Sequence, residues 1–323
     1  MSNFSASGIL GFDHVDFAVT DLEKVTPLFL RLGFEKAGVR ELKERGLRSI
    51  LFVQNDLFVI ASQSSLKTDP LAKFAEAHGD GIYQITFRCK DAMTAFEIAL
   101  QRGALMADGP KTISREHGEV HFASIKTIGD VRHGFVSRSG TLFAEGFEIP
   151  VRTQSEGTGL KHLDHFGGVV APEALAEWTQ FYEQVLGLTV RPDHPFTVLE
   201  SPDGAVKLTL NDNLVSPHSA QEFFDVNHGA GIQHLAFNVA QLPPTIKALR
   251  KAGLPFVSAE AGFYQEAAEH LSAQGNLAEF ENLGIFPFRD GLQQSYTTNV
   301  LGPAFFEFVQ RNGSPGYGEP IYS

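Results

Sequence analysis

The sequence predicts an α+β chain built by duplication, and three repeated patterns carry that prediction. Each half begins with a strand-like segment containing Asp-His: Gly11-Phe12-Asp13-His14-Val15-Asp16-Phe17 and His162-Leu163-Asp164-His165-Phe166. Each of these runs into an amphipathic helix pattern. Each half then repeats the cycle, with strand patterns Asp80–Phe87 and Ala230–Phe237 feeding a further helix. A repeat of this length points to paired domains rather than a solenoid. Short strands with one helix per unit give the α+β class.

The first helix pattern, Leu22 to Leu32, opens at Thr20-Asp21 and closes at Gly33. Its counterpart, Glu173 to Leu186, opens after Pro172 and closes at Gly187. A capping carboxylate or Pro at the start and Gly just past the end are ordinary helix boundaries. The second pair ends near Arg102-Gly103 and Lys251-Ala252-Gly253. Met106 to Ser139 is weakly periodic and rich in Gly and charge, so irregular connection with a few strands is expected there. The halves close on Gly140–Phe147 and Gly302–Phe308. The polar, Gly-rich Thr153–Gly159 marks the boundary, giving expected domains at 1–152 and 160–323.

Composition excludes several function classes. The 323 residues suit two domains at about 150 residues each. A net charge of −12 argues against nucleic acid or an anionic membrane as the main partner. There is no run of 18 apolar residues. Met1 to Phe12 has neither a positive n-region nor a long apolar h-region, so no signal peptide is expected. The single cysteine, Cys89, excludes an intramolecular disulfide framework and a Cys-rich zinc site. The simplest compartment is the cytoplasm.

Three polar residues interrupt apolar strand patterns in the second half: His165 in Leu163–Val170, His234 in Ile232–Val239 and Glu307 between Phe306 and Phe308. A carboxylate buried among phenylalanines needs a partner or a cation. Two imidazoles and one carboxylate form a facial triad, which leaves up to three positions open on a non-haem Fe(II). The residues alone leave alternatives open. A strand His is commonly a core residue, and Glu307 can pair with Arg311 or Arg289. The spacings of 69 and 73 residues match no short local motif.

The chain resembles the 4-hydroxyphenylpyruvate dioxygenase family of the vicinal oxygen chelate superfamily. The carrying segments are Gly159–His165, Gly229–Phe237 and Leu301–Arg311, with Gly316-Tyr317-Gly318-Glu319 similar to the family's glycine-rich exit. The resemblance implies two tandem vicinal-oxygen-chelate domains, each of paired βαβββ modules forming an open β-barrel. It implies His165, His234 and Glu307 as ligands of one Fe(II) per chain, other divalent metals being possible. It also implies a 2-oxoglutarate-independent dioxygenase. In such an enzyme a 2-oxo acid chelates the iron, O2 takes a remaining position, and decarboxylation is coupled to oxidation of the aromatic part. The product is homogentisate in the dioxygenase, whereas hydroxymandelate synthase hydroxylates the benzylic carbon. A small 2-oxo acid and O2 are the implied partners, in a homo-oligomer without nucleic acid or membrane.

By the same resemblance Asn211, Gln294 and Gln233 fall at pocket amides, and Tyr296, Phe305, Tyr317 and Tyr322 at pocket or near-pocket aromatics. A regular strand would turn Gln233 away from His234. Three positions depart from the family. Phe196 stands for a serine near the substrate phenol. Ser219 stands for a glutamine, with Gln221 two residues on. Thr209 stands for a proline, as in hydroxymandelate synthase. A substrate other than 4-hydroxyphenylpyruvate is therefore expected, a 2-oxo acid with a less polar end, such as phenylpyruvate, or with a larger ring. The sequence ends at Ser323 without the family's covering helix, so a partner subunit is an expected lid.

Redox-neutral chemistry with a divalent Lewis acid on the same scaffold is the rival enzyme class. A non-catalytic binding module is the third reading. In the first half His14, Gln84 and Glu145 repeat the ligand order, but an amide is the weaker ligand and that half reads as structural. His117 and His121 read as a solvated loop, and Lys161, Arg289 and Arg311 as surface charge able to steer an anion.

Overall fold

The computed structural model describes residues 3–143, 147, 157–192, 194, 196–214, 220–270 and 276–318. Ser219, Tyr322 and Glu145, named above, lie outside the described residues. Strands β1 (Ile9–Ala18), β2 (Glu35–Leu42), β3 (Leu47–Gln54), β4 (Leu57–Ser64), β5 (Gly81–Cys89), β6 (Met106–Arg115), β7 (Gly118–Lys126) and β8 (Arg132–Gly140) form one sheet. Strands β9 (Leu160–Val169), β10 (Thr189–Arg191), β11 (Thr197–Glu200), β12 (Lys207–Asn211), β13 (Gly231–Val239), β14 (Phe286–Pro287), β15 (Gln293–Tyr296) and β16 (Phe305–Gln310) form the other.

The two sheets share one topology. The orders are β2-β3-β4-β1-β5-β8-β7-β6 and β10-β11-β12-β9-β13-β16-β15-β14. Each sheet is two βαβββ units joined along antiparallel central strands, β1 with β5 and β9 with β13. Within a unit the first and last strands run parallel, which the crossover helix makes possible. Helix Leu22–Arg31 is capped by Asp21, whose carboxylate accepts from the amides of Glu23 and Lys24. Asp91 caps helix Ala92–Gln101 in the same way. The stretch after Ala174 is α-helical to Phe181 and then widens into a π-turn, Tyr182–Leu186, ended by Gly187 at φ 76°.

Met106 to Ser139 is not an irregular connection. It is the antiparallel meander β6-β7-β8. Its outer strand β6 is exposed or half-buried throughout, so it carries no alternation for a sequence pattern to show. His117 sits in the β6–β7 hairpin turn, and His121 on β7 bonds Thr112.

The phenylalanines explain how the halves meet. Alternation along a strand sends successive side chains to opposite faces. Phe166, Phe237, Phe306 and Phe308 all lie on the back of the second sheet, buried in one hydrophobic cluster that spans both halves. Phe12 meets Phe166 at 6.0 Å between ring centroids, Phe17 meets Phe306 at 6.4 Å and Phe34 meets Phe237 at 6.3 Å. The opposite face of the second sheet carries His165, His234 and Glu307 beside a small apolar cluster that includes Ala236 and Val309. Among the described residues no helix is long and apolar enough to cross a membrane.

Candidate metal centre and family

His165, His234 and Glu307 stand on the three adjacent central strands β9, β13 and β16. Register places Ala236 opposite both His165 and Glu307, and His234 opposite Gly167 and Phe305. Facing residues share a side of the sheet, so all three polar side chains emerge together. One ligand atom from each lies within 4.8 Å of the other two. Glu307 Oε2 is 3.5 Å from His165 Nε2 and 3.6 Å from His234 Nε2.

Small residues make this convergence possible. Ala236 stands between the outer ligands. A Cβ at Gly167 would lie 1.9 Å from His234 Cε1, so the imidazole occupies the space of the missing side chain. The other face of that imidazole stacks on Phe305 at 4.9 Å and 17°.

His165 is also held from behind. Its Nδ1 pairs with Asp164 Oδ1 at 2.8 Å, directing Nε2 at the cluster. Arg311 donates to both Asp164 oxygens at 2.6 Å, and to the Gly316 carbonyl at 2.6 Å. Its guanidinium lies 4.9 Å over the Tyr317 ring, which packs edge-on against His165 at 5.3 Å. Arg311 is therefore a buttress of the cluster through Asp164. Sequence reading gave it surface charge or a pair with Glu307, because Asp164 lies 147 residues away in the chain.

The electrostatics favour a cation here. Burial opposes charge on Asp164, but Arg311 and His165 outweigh it and hold the carboxyl well below its usual range. Burial also opposes charge on His165, yet Glu307 and Asp164 push its imidazole up to about 9. His234 is pushed down to about 4, chiefly by burial, and so offers a neutral ring. Glu307 is 3% exposed, and its Oε1 has no hydrogen-bond partner among the described residues. An orphaned buried carboxylate oxygen beside two imidazoles is the donor set of a divalent metal.

Residues 4–143 match the family described as hydroxyphenylpyruvate dioxygenase, HPPD, N-terminal. Residues 162–275 match the glyoxalase/bleomycin resistance protein/dioxygenase superfamily. A 4-hydroxyphenylpyruvate dioxygenase from Dictyostelium discoideum is 30% identical, over 95% of this chain and 94% of its own. The chain belongs to the 4-hydroxyphenylpyruvate dioxygenase family. It is thus a dioxygenase-type enzyme of tandem vicinal-oxygen-chelate domains. A second family member, from Pseudomonas aeruginosa, is 28% identical over 97% of this chain and 91% of its own. The fold is also that of a triple mutant of 4-hydroxymandelate synthase from Streptomyces coelicolor, at TM-score 0.83 and 23% identity, covering 96% and 95% of the two chains.

Several further residues expected from the 4-hydroxyphenylpyruvate dioxygenase family share the face of the cluster. Tyr296 stands opposite Glu307 on β15, and Gln294 opposite Val309 two residues along. Burial, reinforced by Glu307, raises the Tyr296 phenol well above its ordinary value, so it keeps its proton and donates to Gln294 Oε1 at 2.7 Å. Thr209 faces Gly167 and Asn211 faces Val169, which puts both on the same side of β12. Asn211 accepts from the Asn213 amide at 2.9 Å. Gln233 is the extra residue of a β-bulge between Ile232 and His234, so the strict alternation expected of a regular strand does not apply to it. Gln221 donates to Asp225 on its own short helix. Phe196 is half-buried, with its ring 6.3 Å from His194. His194 packs edge-on against Tyr317 at 5.4 Å. Sequence reading missed His194, which lies in a loop without periodicity.

Among the described residues the first half shows no second triad. His14 and Gln84 occupy the strand positions of His165 and His234. The register of β5 with β8, Gln84 opposite Arg132 and Thr86 opposite Gly134, puts Gly134 where β16 carries Glu307. Pairing Glu145 with Glu307 was an error of alignment across the unequal closing segments. A ligand set of His14, Gln84 and Glu145 does not follow from this topology.

Proposed function

We propose that this chain is an Fe(II)-dependent, 2-oxoglutarate-independent dioxygenase that oxidatively decarboxylates a chelating aromatic 2-oxo acid. The observation carrying the proposal is the convergence of His165, His234 and Glu307 within 4.8 Å on one face of the sheet. Bound there by three protein ligands, Fe(II) would supply a site for chelation of the substrate and activation of O2. The remaining roles belong to the protein. Asp164 and Arg311 fix the His165 ring, and Gly167 and Phe305 fix that of His234. The wall of Phe305, Tyr296 and Tyr317 suits an aromatic group and excludes water. Asn211, Gln294 and Gln233 are the proposed polar contacts, with Phe196, Thr209, Ser219, Gln221 and Tyr322 as the pocket positions that tune the substrate. In this reading the half 160–323 is catalytic and the half 1–152 is its scaffold, in a cytoplasmic homo-oligomer.

4-Hydroxyphenylpyruvate and phenylpyruvate are the substrates to compare, because a site built for a hydroxyl discriminates strongly by it. Phe196 in place of a polar residue favours the acid lacking that hydroxyl. Thr209 favours benzylic hydroxylation as the second reading. The test is anaerobic loading with Fe(II), followed by each acid in turn. A visible charge-transfer band with O2-coupled CO2 release is expected, and the position of the new hydroxyl separates ring from benzylic chemistry. Bound iron with neither band nor O2 uptake for both acids would overturn the proposal and leave redox-neutral chemistry.

A further inference from the structure

Where the second half has His165, His234 and Glu307, the first half has His14, Gln84 and Gly134, with Asp16 beside them. Asp16 occupies the strand position equivalent to Gly167. Its carboxylate lies 3.3 Å from His14 Nε2 and accepts from Gln84 Nε2 at 3.0 Å. The face that carries the His165–His234–Glu307 cluster in the second half carries in the first a histidine, an amide and a carboxylate bonded to one another. It is not filled. A cavity of about 60 Å³ remains there, with His14, Asp16 and Gln84 in its wall.

The rest of that wall combines apolar side chains, among them Leu47, Ile60 and Phe122, with three arginines. Arg40, Arg45 and Arg132 all line it, together with Tyr83, Ser62 and Asp108. Arg45 is forked onto Asp69 at 2.7 and 3.2 Å. Arg132 pairs with Asp108, and its guanidinium covers the Tyr83 ring at 4.8 Å. Arg40 donates to Ser49 at 3.1 Å. Tyr83 is 7% exposed, and its hydroxyl has no hydrogen-bond partner among the described residues. A buried phenol normally finds an acceptor, since an unmade hydrogen bond costs more than a made one gains.

We propose that this cavity is a binding site for a small monocarboxylate, held by the Tyr83 hydroxyl and the guanidinium edges of Arg40 and Arg132. Planar guanidinium groups match a carboxylate in shape as well as charge. The same volume would admit inorganic phosphate, but Asp16 and Asp108 stand in the wall and repel a second negative charge. The space suits an acid of two or three carbons, being roughly that of four to six water-sized groups. The site uses none of the second-half triad, so it stands or falls apart from the proposed oxygenase activity.

The test is calorimetric titration of the full, chelator-treated chain with propionate and, separately, inorganic phosphate. Saturable binding of one propionate per chain is expected, with phosphate weaker. Tyr83→Phe removes a hydroxyl that bonds nothing among the described residues, so this variant should fold as the parent does and lose about tenfold or more in propionate affinity. Arg132→Gln should lose at least as much. His234→Ala should leave propionate binding unchanged. The proposal would be overturned by absence of saturable binding to the folded parent, by equal affinity in Tyr83→Phe, by loss of binding in His234→Ala, or by phosphate binding more tightly than propionate.

Discussion

The cluster depends on residues that never touch its centre. His165 can present Nε2 only while its other nitrogen is held, and Asp164 does this from the preceding position on the strand. Adjacent strand residues normally point apart, but Asp164 is the extra residue of a β-bulge between Leu163 and His165, and the two-pronged grip of Arg311 fixes its carboxylate. Asp164→Asn keeps the shape and removes the charge. The expected outcome is a loss of about 10–100-fold in divalent-metal affinity, the range usual for partners of metal-bound histidines. Arg311→Lys, which cannot grip both oxygens, should fall between parent and Asp164→Asn. Competition titration with Co(II) reads both, and unchanged affinity in Asp164→Asn would remove the buttress from the account. The cluster residues themselves were legible because His165, His234 and Glu307 interrupt apolar runs. Their supports were not, since Asp164 reads as an ordinary polar strand residue until Arg311 is placed beside it.

At the level of elements, the three central strands form a site because of what they omit. Gly167 on β9 and Ala236 on β13 face the ligand cluster, and the glycine leaves room for the whole imidazole of His234. Gly167→Ala is predicted to push the His234 ring off its stack with Phe305, because the new methyl would start 1.9 Å from Cε1. The expected result is native-like circular dichroism with metal affinity reduced at least about tenfold. Retained affinity would mean that the ring has another place to go. These elements were unequally readable. The helix announced by Asp21 stands where its cap places it. The meander β6-β7-β8 was hidden, because its outer strand has no buried face to impose a period of two. That concealment caused the mistaken match of Glu145 to Glu307. The Gly-x-x-Phe likeness of Gly140–Phe143 to Gly302–Phe305 lies at the end of β8, whereas the register gives the position of Glu307 to Gly134 within it. The bulge at Gln233 and the π-turn at Tyr182 were equally invisible, since each inserts a residue without altering the surrounding pattern.

Across the whole molecule, the duplication gives two like sheets whose phenylalanine backs pack together, and one buried polar cluster ties that seam. The Tyr182 hydroxyl, from the second half, lies 3.1 Å from His133 Nε2 and 2.9 Å from Thr127 Oγ1 in the first. Burial pushes the His133 imidazole down to about 3, against an ordinary value of 6.5. The unfolded chain therefore takes up this proton first as the solution is acidified. The contribution of neutral His133 is complete above pH 6.5 and is lost progressively as pH falls toward 3, by up to roughly a few kcal/mol. His14 has the opposite sign. Burial opposes its charge, but Asp16 and Asp13 outweigh it and raise it to about 9, so its contribution is present below 6.5 and lost as pH rises through 9. The two together predict a stability optimum near neutral pH. Urea unfolding of the chelator-treated chain at steps from pH 10 to pH 4 separates them, the His14 limb lying above pH 6.5 and the His133 limb below it. His133→Gln, which can still bond Tyr182 but cannot take up a proton, should be less stable than the parent at pH 7 and lose less on acidification, so that the two curves converge. Parallel curves would show that the seam is indifferent to His133 protonation, and that acid sensitivity arises elsewhere in the fold.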